Sequence, residues 1–290
     1  MKKILAFAMA AAMALSLAAC GGGNNSASSS PAASSNPPAA SGSQGGSSTD
    51  ASTPASFTTV EPGKLHMSTN AQFPPYEMVA DGEGVYQGFE GIDIEIAVAL
   101  ADKLGLELVI EDMDFDSALM AVQENRSDMV LAGLTYREDR DQVMDFSTSY
   151  ATGVQVVIVP DGSDITDLDA LEGKMIGTQR GTTGYIYASD TPENGGYGED
   201  HVLAYDNGAL AVQAMLGGQI DAVIIDNGPA QEYVKANPGT HILDGEWVVE
   251  DYCLAVDEGN ADLLNALNSA LEELIADGTV KTIIDKYITD

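Results

Sequence analysis

Basic residues are scarce in this chain of 290 residues. Lys and Arg number 12 against 45 Asp and Glu, so the formal net charge is −33. Because binding to nucleic acid requires clustered basic side chains, this balance argues against a nucleic acid partner. The acidity is typical of a solvated surface, and it carries no information about the fold.

Cysteine and histidine are scarce as well, with two and three copies. The three histidines are far apart and lack the spacing of zinc ligands, so we expect neither a metal nor a cofactor. The sequence has no Walker A motif and no Gly-x-Ser-x-Gly motif, which are the signatures of ATPases and α/β-hydrolases. Cys253 lies in an apolar run and is predicted to be a buried small side chain rather than a reactive thiol.

The N-terminus has the pattern of an export signal. Lys2 and Lys3 precede an apolar run at residues 4–17, which is shorter than the roughly 20 residues of a membrane-spanning helix. Residues 17–20, Leu-Ala-Ala-Cys, resemble the lipobox of bacterial lipoproteins. That resemblance implies that residues 1–20 are a lipoprotein signal peptide and that Cys20 receives a diacylglyceryl anchor and palmitate. The alternative is an ordinary signal peptide with a chance cysteine.

Residues 21–56 are rich in Gly, Ser, Ala, Pro and Asn and carry one charge, that of Asp50. Such a segment buries too little apolar surface to offset the entropy of ordering, so we predict a disordered tether. A flexible coil of this length has a root-mean-square reach of roughly 30–36 Å. The tether would keep the globular body, residues 57–290, close to a membrane surface.

In the body, short apolar runs alternate with segments of helical periodicity. Residues 92–104 carry apolar side chains at helical spacing, and Gly105 is predicted to end that helix. This alternation predicts an α/β fold with mostly parallel sheets, in which ligands bind at the carboxyl ends of strands. The other predicted helices are about 118–123, 210–216, 261–276 and 280–287. The predicted strands are 65–68, 106–110, 129–132, 154–159, 175–178, 202–205, 222–225 and 253–256.

One of the segments that follow predicted strands carries two arginines in a single helical turn. Thr135 and Glu138 form a capping-box pattern, which predicts a helix over residues 136–143. The N-terminus of a helix attracts anions, and an arginine one turn inside it, Arg140, can reach such an anion. Arg137 is predicted to lean into solvent, although its proximity leaves it as an alternative. Because a planar guanidinium suits a carboxylate, we expect the anion to be a carboxylate.

Seven short motifs of the body occur together and in order. Each is weak alone, but with them the body resembles the polar amino-acid-binding proteins of bacterial ABC importers, family 3 of the extracellular solute-binding proteins, over about residues 63–287. The resemblance implies an α/β fold of periplasmic-binding type II, with two lobes and two hinge strands, that closes on one free amino acid. The motifs are TNAQFPPY (69–76), GIDIEIA (91–97), DF (114–115), AGLT (132–135) with Arg140, DFS (145–147), GTT (181–183) and DAVIID (221–226).

The resemblance also implies lobe boundaries and ligand contacts. Lobe one would comprise residues 57–150 and 252–290, and lobe two residues 151–251. Arg140 and Asp226 would bind the α-carboxylate and the α-ammonium from opposite lobes, so that a zwitterion selects the closed state. From the residues alone, Asp226 would equally suit a helix N-cap. The other implied ligand-binding residues are Thr135, Ala132, Gly133 and Thr183 near the carboxylate, and Phe73 and Phe115 beside the ligand side chain, although both phenylalanines would also suit the core.

Two departures from the family pattern concern the pocket for the ligand side chain. Asn70 stands where many relatives have an acid, and Gln179 stands where some relatives have lysine. Amides donate and accept hydrogen bonds without a charge. We therefore predict a ligand with an uncharged polar side chain, like that of glutamine or asparagine.

The implied partners are a free amino acid and an ABC permease with a separate ATPase, served by a monomeric, extracytoplasmic receptor that is not an enzyme. One alternative is an exported enzyme on the same fold, such as a cyclohexadienyl dehydratase, because fold does not determine function. Such an enzyme needs a general acid or base, and Glu77 is the nearest spare carboxylate. Another alternative is a sensing domain that presents its ligand to a separate receptor.

Overall fold

The structure is a computed structural model, and it describes residues 57–288. The predicted signal peptide, the lipidation of Cys20 and the tether lie outside the described residues. The helices of the described part are α1 (Ile92–Leu104), α2 (Phe115–Gln123), α3 (Thr183–Ser189), α4 (Gly208–Leu216), α5 (Asn227–Ala236), α6 (Ala261–Ala276) and α7 (Thr279–Tyr287). Its strands are β1 (Lys64–Thr69), β2 (Gln72–Phe73), β3 (Glu77–Val79), β4 (Phe89–Glu90), β5 (Glu107–Asp112), β6 (Met129–Val130), β7 (Met144–Phe146), β8 (Ala151–Pro160), β9 (Ile176–Gln179), β10 (Val202–Tyr205), β11 (Ala222–Asp226), β12 (Thr240–Ile242), β13 (Val248–Tyr252) and β14 (Ala255–Asp257).

The first large sheet has the strand order β5-β1-β6-β14-β7. Strands β5, β1 and β6 are parallel, whereas β14 is antiparallel to both of its neighbours. Helix α1 packs on this sheet and buries Ile92, Ile96 and Leu100 at helical spacing. Gly105, with φ of 68°, ends the helix as predicted. Helices α6 and α7 pack against α1 and thereby complete the lobe built on the first sheet.

The second large sheet has the order β10-β9-β11-β8-β12, and β13 also pairs with β8. Strands β10, β9 and β11 are parallel, but β8 is antiparallel to β11, β12 and β13. Helices α3, α4 and α5 pack on this sheet. Both sheets are therefore mixed, and the prediction of mostly parallel sheets was wrong for the pairs that involve β8 and β14.

Strands β8 and β13 connect the two sheets and define a two-lobed fold. The chain passes from the first sheet to the second along β8 and returns along β13. The two strands pair antiparallel from Val248 opposite Gln155 to Tyr252 opposite Ala151. A Cβ atom at Gly153 would lie 2.4 Å from the Tyr252 ring, so this close approach requires glycine. The third sheet is small and antiparallel, with the order β2-β3-β4, and it follows β1 in the first lobe.

The predicted elements agree with the structure where periodicity is strong. Helices α1 and α6 have the predicted bounds, and a strand lies at or beside each predicted strand position. Helices α3 and α5 and six short or connecting strands were not predicted. Among residues 57–288, no helix combines the length and the apolar character that crossing a membrane requires.

The helix predicted over residues 136–143 is absent, and a series of turns takes its place. Backbone N–H groups of Val143 and Met144 both donate to the carbonyl of Arg140, at 3.0 Å. Thr135 does not cap a helix, because its backbone bridges to Tyr252 and its hydroxyl contacts Glu250 on β13. The Thr135 hydroxyl, which a capping box would direct to the helix N-terminus, is thus used in a tertiary hydrogen bond to Glu250.

Candidate functional site

A cavity between the two lobes contains all ten residues predicted to bind ligand. It lies beyond the carboxyl ends of β1, β6, β9 and β11. This is where α/β sheets bind ligands, because the loops that leave parallel strands converge there. The lining consists of Asn70, Phe73, Phe115, Ala132, Gly133, Thr135, Arg140, Gln179, Thr183 and Asp226, together with Glu77 and Thr182, which were not predicted.

Arg140 is the buried cation of this cavity. It is 7% exposed, and its guanidinium donates to the carbonyl of Thr135 at 2.9 Å and to that of Gly181 at 3.0 Å. Because Gly181 belongs to the second lobe, the side chain crosses the cleft. The ring of Phe115 lies 5.6 Å from the guanidinium carbon. Burial, followed by the charge of Arg137, lowers the pKa of Arg140 to about 10, so it remains charged at neutral pH.

Arg137 also crosses the cleft, and the prediction that it leans into solvent was wrong. Its side chain is 16% exposed, and its guanidinium carbon lies 5.2 Å from the centroid of the Tyr187 ring on α3. Asp139 accepts hydrogen bonds from it at 2.8 and 3.2 Å. Without a helix at residues 136–143, the dipole argument that separated the two arginines does not apply. Arg140 lines the cavity, whereas Arg137 lies outside it at the meeting of the lobes.

Asp226 is the buried acid of the second lobe in this cavity. It ends β11 and precedes α5, but its side chain makes no capping hydrogen bond. Instead its carboxylate accepts a hydrogen bond from the hydroxyl of Tyr252 on β13. Burial raises the pKa of Asp226 to about 7, and the charge of Glu250 adds to the effect. The site therefore holds an acid that titrates near neutral pH.

Asn70 and Gln179 meet across the cleft. The Nε2 group of Gln179 donates to Oδ1 of Asn70 at 2.9 Å, and Nδ2 of Asn70 donates to the carbonyl of Met113 at 2.9 Å. The Oε1 atom of Gln179 meets no donor among residues 57–288. The two amides thus join the lobes and leave one buried acceptor free.

Gly133 allows an aromatic ring to line the cavity. It has φ of +53°, and a Cβ atom there would lie 2.6 Å from the Phe73 ring. Its N–H donates to Oδ2 of Asp93 at 2.8 Å. Phe73 and Phe115 are each 7% exposed, so they belong to the core and to the cavity wall at once.

Glu77 is a fully buried acid of this cavity that lies beside a second buried acid, Asp93. It is 0% exposed, and neither carboxyl oxygen receives a hydrogen bond from a described residue. Burial, followed by the charge of Asp93, raises its pKa well above the ordinary value. Asp93 on α1 has partners, because Gly133 N–H and the Tyr150 hydroxyl each donate to it at 2.8 Å. Glu77 immediately follows the motif TNAQFPPY of residues 69–76, so the resemblance reaches to the residue before it.

Metal ligands are not clustered in this part of the chain. Within residues 57–288, no group of His, Cys, Asp and Glu side chains is arranged to hold a metal ion.

Cys253 is buried and free, and burial raises the pKa of its thiol to about 12. The thiolate form is thereby disfavoured, as expected of a cysteine that packs as a small side chain.

Two α/β lobes joined by two strands, with a polar cavity between them, define the class of the periplasmic binding proteins. A model of the bacterial extracellular solute-binding proteins, family 3, matches residues 65–290, and the chain belongs to this family. The prediction of a family 3 solute-binding protein with a two-lobed fold is therefore confirmed.

Relatives with different ligands in their names share this family. The chain is 31% identical over 244 residues to the probable histidine-binding protein of Neisseria gonorrhoeae, covering 82% of this chain and 87% of that protein. It is 31% identical over 231 residues to the L-cystine-binding protein TcyJ of Escherichia coli (strain K12), covering 78% and 83%. A solved structure of an ancestral arginine-binding protein bound to glutamine is 37% identical, with a TM-score of 0.71, over 79% of this chain and 100% of that one. These relatives are binding proteins, so the prediction of a receptor rather than an enzyme is confirmed.

Proposed function

We propose that this protein is the extracytoplasmic receptor of an amino acid ABC importer, which binds a free L-amino acid between its lobes and delivers it to a permease. The observation that carries the proposal is that a buried guanidinium and a buried carboxylate line one cavity from opposite lobes. Arg140 and Asp226 supply the two charges that a zwitterion requires. An isolated cation or anion would leave one of the two without its partner.

The proposed contacts assign each end of the ligand backbone to a set of groups. Arg140 binds the α-carboxylate through a planar guanidinium, a geometry that suits bidentate pairing. Asp226 binds the α-ammonium. The remaining proposed contacts are the hydroxyls of Thr135 and Thr183, the backbone at Ala132 and Gly133, and the side chains of Phe73, Phe115, Asn70 and Gln179.

Ligand binding would couple to closure of the lobes. We place lobe one at residues 57–150 and 252–290 and lobe two at residues 151–251. The hinge would then lie in β8 and β13, whose pairing passes between the sheets. Since the charge receptors come from both lobes, a bound zwitterion stabilises the closed arrangement over the open one.

For the ligand side chain, we propose an uncharged polar group such as that of glutamine or asparagine. Asn70 and Gln179 line the cavity, bond to each other and leave the Oε1 acceptor of Gln179 free. A carboxamide offers both donors and acceptors to such a pair.

A cationic side chain is the second candidate, and Glu77 favours it. A buried carboxyl group that receives no hydrogen bond and faces the charge of Asp93 is stabilised in its ionised form by a positive partner. Burial raises the pKa of Glu77, and a nearby cation would lower it, so a cationic ligand side chain shifts Glu77 toward its ionised form, whereas the side chain of glutamine has no charge to do so.

The proposed location of the protein in the cell rests on residues 1–56, which lie outside the described residues. We propose that Cys20 is lipidated and that residues 21–56 tether a monomeric body to the outer face of the membrane. The permease and a separate ATPase would be the transport partners. Mass spectrometry of the membrane-bound protein, with Cys20→Ser as the control, would detect a diacylglyceryl-modified N-terminal cysteine if this is correct.

The proposed function is tested by calorimetry and thermal-shift measurements across the amino acids. We expect a stabilising ligand for the wild type and loss of that stabilisation in Arg140→Ala. Arg126→Ala is the matched control, because Arg126 is 53% exposed and pairs with Glu124 on the surface. Equal ligand-induced shifts in wild type and Arg140→Ala would refute the role of Arg140.

The side-chain class is decided by comparing glutamine with arginine in two buffers of different ionisation enthalpy. Tighter binding of glutamine is expected, with no proton release beyond that which ionisation of Asp226 requires. Tighter binding of arginine with additional proton release, lost in Glu77→Gln but kept in the exposed control Glu83→Gln, would establish the cationic class instead.

A further inference from the structure

Glu250 is a buried acid on the connecting strand β13, and it was not among the predicted site residues. It is 5% exposed, and the alternation of β13 places Tyr252 on the same buried face while Asp251 points to solvent. Its Oε2 atom accepts three hydrogen bonds. The donors are Nε2 of Gln155 at 2.9 Å, the hydroxyl of Thr183 at 3.0 Å and the hydroxyl of Thr135 at 3.3 Å.

The two threonines in this network line the cavity from opposite lobes. A carboxylate is an acceptor without a proton of its own, so each contact uses the single proton of a threonine hydroxyl. A hydroxyl that donates to Glu250 presents only lone pairs in other directions. The Oε1 atom of Glu250 meets no donor among the described residues, so all three of these hydrogen bonds converge on Oε2.

Under the proposed function, the same two hydroxyls face the α-carboxylate of the ligand. That carboxylate also lacks a proton and needs the hydroxyls as donors. Glu250 and the ligand thus require the same two protons. The negative charge of Glu250 also opposes a second carboxylate nearby and adds to burial in raising the pKa of Asp226.

We propose that Glu250 is an affinity-limiting residue, an internal carboxylate that competes with the ligand carboxylate for the hydroxyl protons of Thr135 and Thr183. The inference rests on the proposed function. Competition for donors, like-charge repulsion and suppression of the Asp226 charge all act against a bound zwitterion. A transport receptor must release its ligand, and a built-in competitor speeds that release.

The decisive variant is Glu250→Gln, which keeps the shape of the side chain and removes its charge. A glutamine amide can donate to the threonine oxygens, which leaves their protons for the ligand. We expect the dissociation constant for the best-binding amino acid to fall about 3- to 30-fold, mainly through slower dissociation. Asp251→Asn removes the same charge from the solvent side of the same strand, and it should leave affinity unchanged.

A second measurement separates competition for protons from a general structural effect. In a Thr183→Val background one contested hydroxyl is missing, so the gain from Glu250→Gln should shrink. The pH midpoint of binding should also move lower in Glu250→Gln, because Asp226 loses a like-charged neighbour. The groups that act on Asp226 or respond to its charge are Glu250 and Tyr252 on β13, Gln155 on β8, and Tyr76 and Glu77 at β3.

Each outcome decides the inference. If folded Glu250→Gln binds the ligand equally or more weakly than wild type, Glu250 is a supporting acceptor and the inference is wrong. If that variant does not fold, Glu250→Asp decides, because a shorter carboxylate releases the hydroxyls and should also tighten binding. A wild type that binds none of the amino acids would refute the proposed function itself, and the inference with it.

Discussion

The two ends of the cavity hold their charges in different ways. At one end Arg140 donates to two backbone carbonyls and has a pKa of about 10, so its charge is constant across neutral pH. At the other end Asp226 is buried near the negative charge of Glu250, and its pKa is about 7. Any dependence of binding on pH near neutrality should therefore come from the acidic end.

The cause of this difference is the starting point of each group. Burial disfavours the charged form of both, but arginine begins far above neutral pH, and aspartate begins below it, at 3.8. The charge of Glu250, which is buried on β13, raises the pKa of Asp226 further. Burial thus leaves Arg140 charged at neutral pH, whereas it makes the charge of Asp226 depend on pH.

The largest expected effect comes from neutralising the acidic end. Asp226→Asn keeps a hydrogen-bond acceptor for Tyr252 but leaves the ligand ammonium without a counter-charge. We expect affinity to fall on the order of 100-fold, since truncating one partner of a buried charge pair costs about 2–5 kcal/mol. Calorimetry measures this loss, and the exposed control Asp244→Asn should bind like wild type. Unchanged affinity in Asp226→Asn would mean that another group binds the ammonium.

The next effect is the pH dependence of the wild type. The α-ammonium group of the ligand pairs only with the ionised form of Asp226. The affinity for a zwitterion should therefore fall about tenfold between pH 8 and pH 6, as expected when binding is linked to the release of one proton. Titration calorimetry at several pH values measures this slope, and Asp226→Asn should flatten it. A flat profile in the wild type would show that Asp226 keeps its charge throughout.

The free energy of unfolding of the ligand-free protein should change with pH in the direction opposite to the ligand affinity. The folded-state pKa of Asp226 lies above its unfolded value, so the folded state binds more protons and gains stability as pH falls from 8 to 6. Asp93, with a pKa raised to about 6, and Glu77, also raised, act in the same direction. Thermal denaturation without amino acid should show a higher midpoint at pH 6 than at pH 8, and a lower one would contradict the raised pKa values.

The smallest effect concerns the contact between lobes outside the cavity. Arg137→Gln removes the stacking on Tyr187, and a cation–π contact that is partly open to solvent contributes about 0.5–1 kcal/mol. We expect the dissociation rate to rise about 2- to 5-fold with little change in the association rate. The ring of the single tryptophan, Trp247, lies 6.4 Å from that of Tyr187, so its fluorescence can report the rates.

A double-mutant cycle provides the control for that contact. Arg137→Gln and Tyr187→Leu should have non-additive effects, because each removes the same interaction. Additive effects would show that the two side chains act independently, and the contact would then have no share in closure.

The predictions that succeeded depend on local patterns with strong periodicity. Helix α1 was predicted because its apolar residues recur at helical spacing and Gly105 supplies a left-handed C-terminal position. The ten candidate site residues were taken from the family resemblance, several of them follow strands, and they line one cavity. Residues that follow parallel strands share one edge of a sheet, so their proximity is predictable without knowing the loops.

The predictions that failed involve groups whose partners lie far along the chain. The capping box at Thr135 predicted a helix, but Glu250, 115 residues away, accepts the hydrogen bond of its hydroxyl. Arg137 was expected in solvent because Tyr187 is not visible to a helical pattern. Nothing local marks Glu250 either, since β13 has no strong alternation of apolar residues in its sequence.

The sequence by itself determined the family, the α/β alternation and the residue types at the two charged ends of the cavity. These depend on local spacing and residue chemistry, which the chain carries in any conformation. Only the tertiary structure decided which charges are buried together, and hence which of them titrate near neutral pH. Burial and the approach of Glu250, Glu77 and Asp226 arise from the packing of two lobes, and a pKa depends on that environment rather than on the neighbours in sequence.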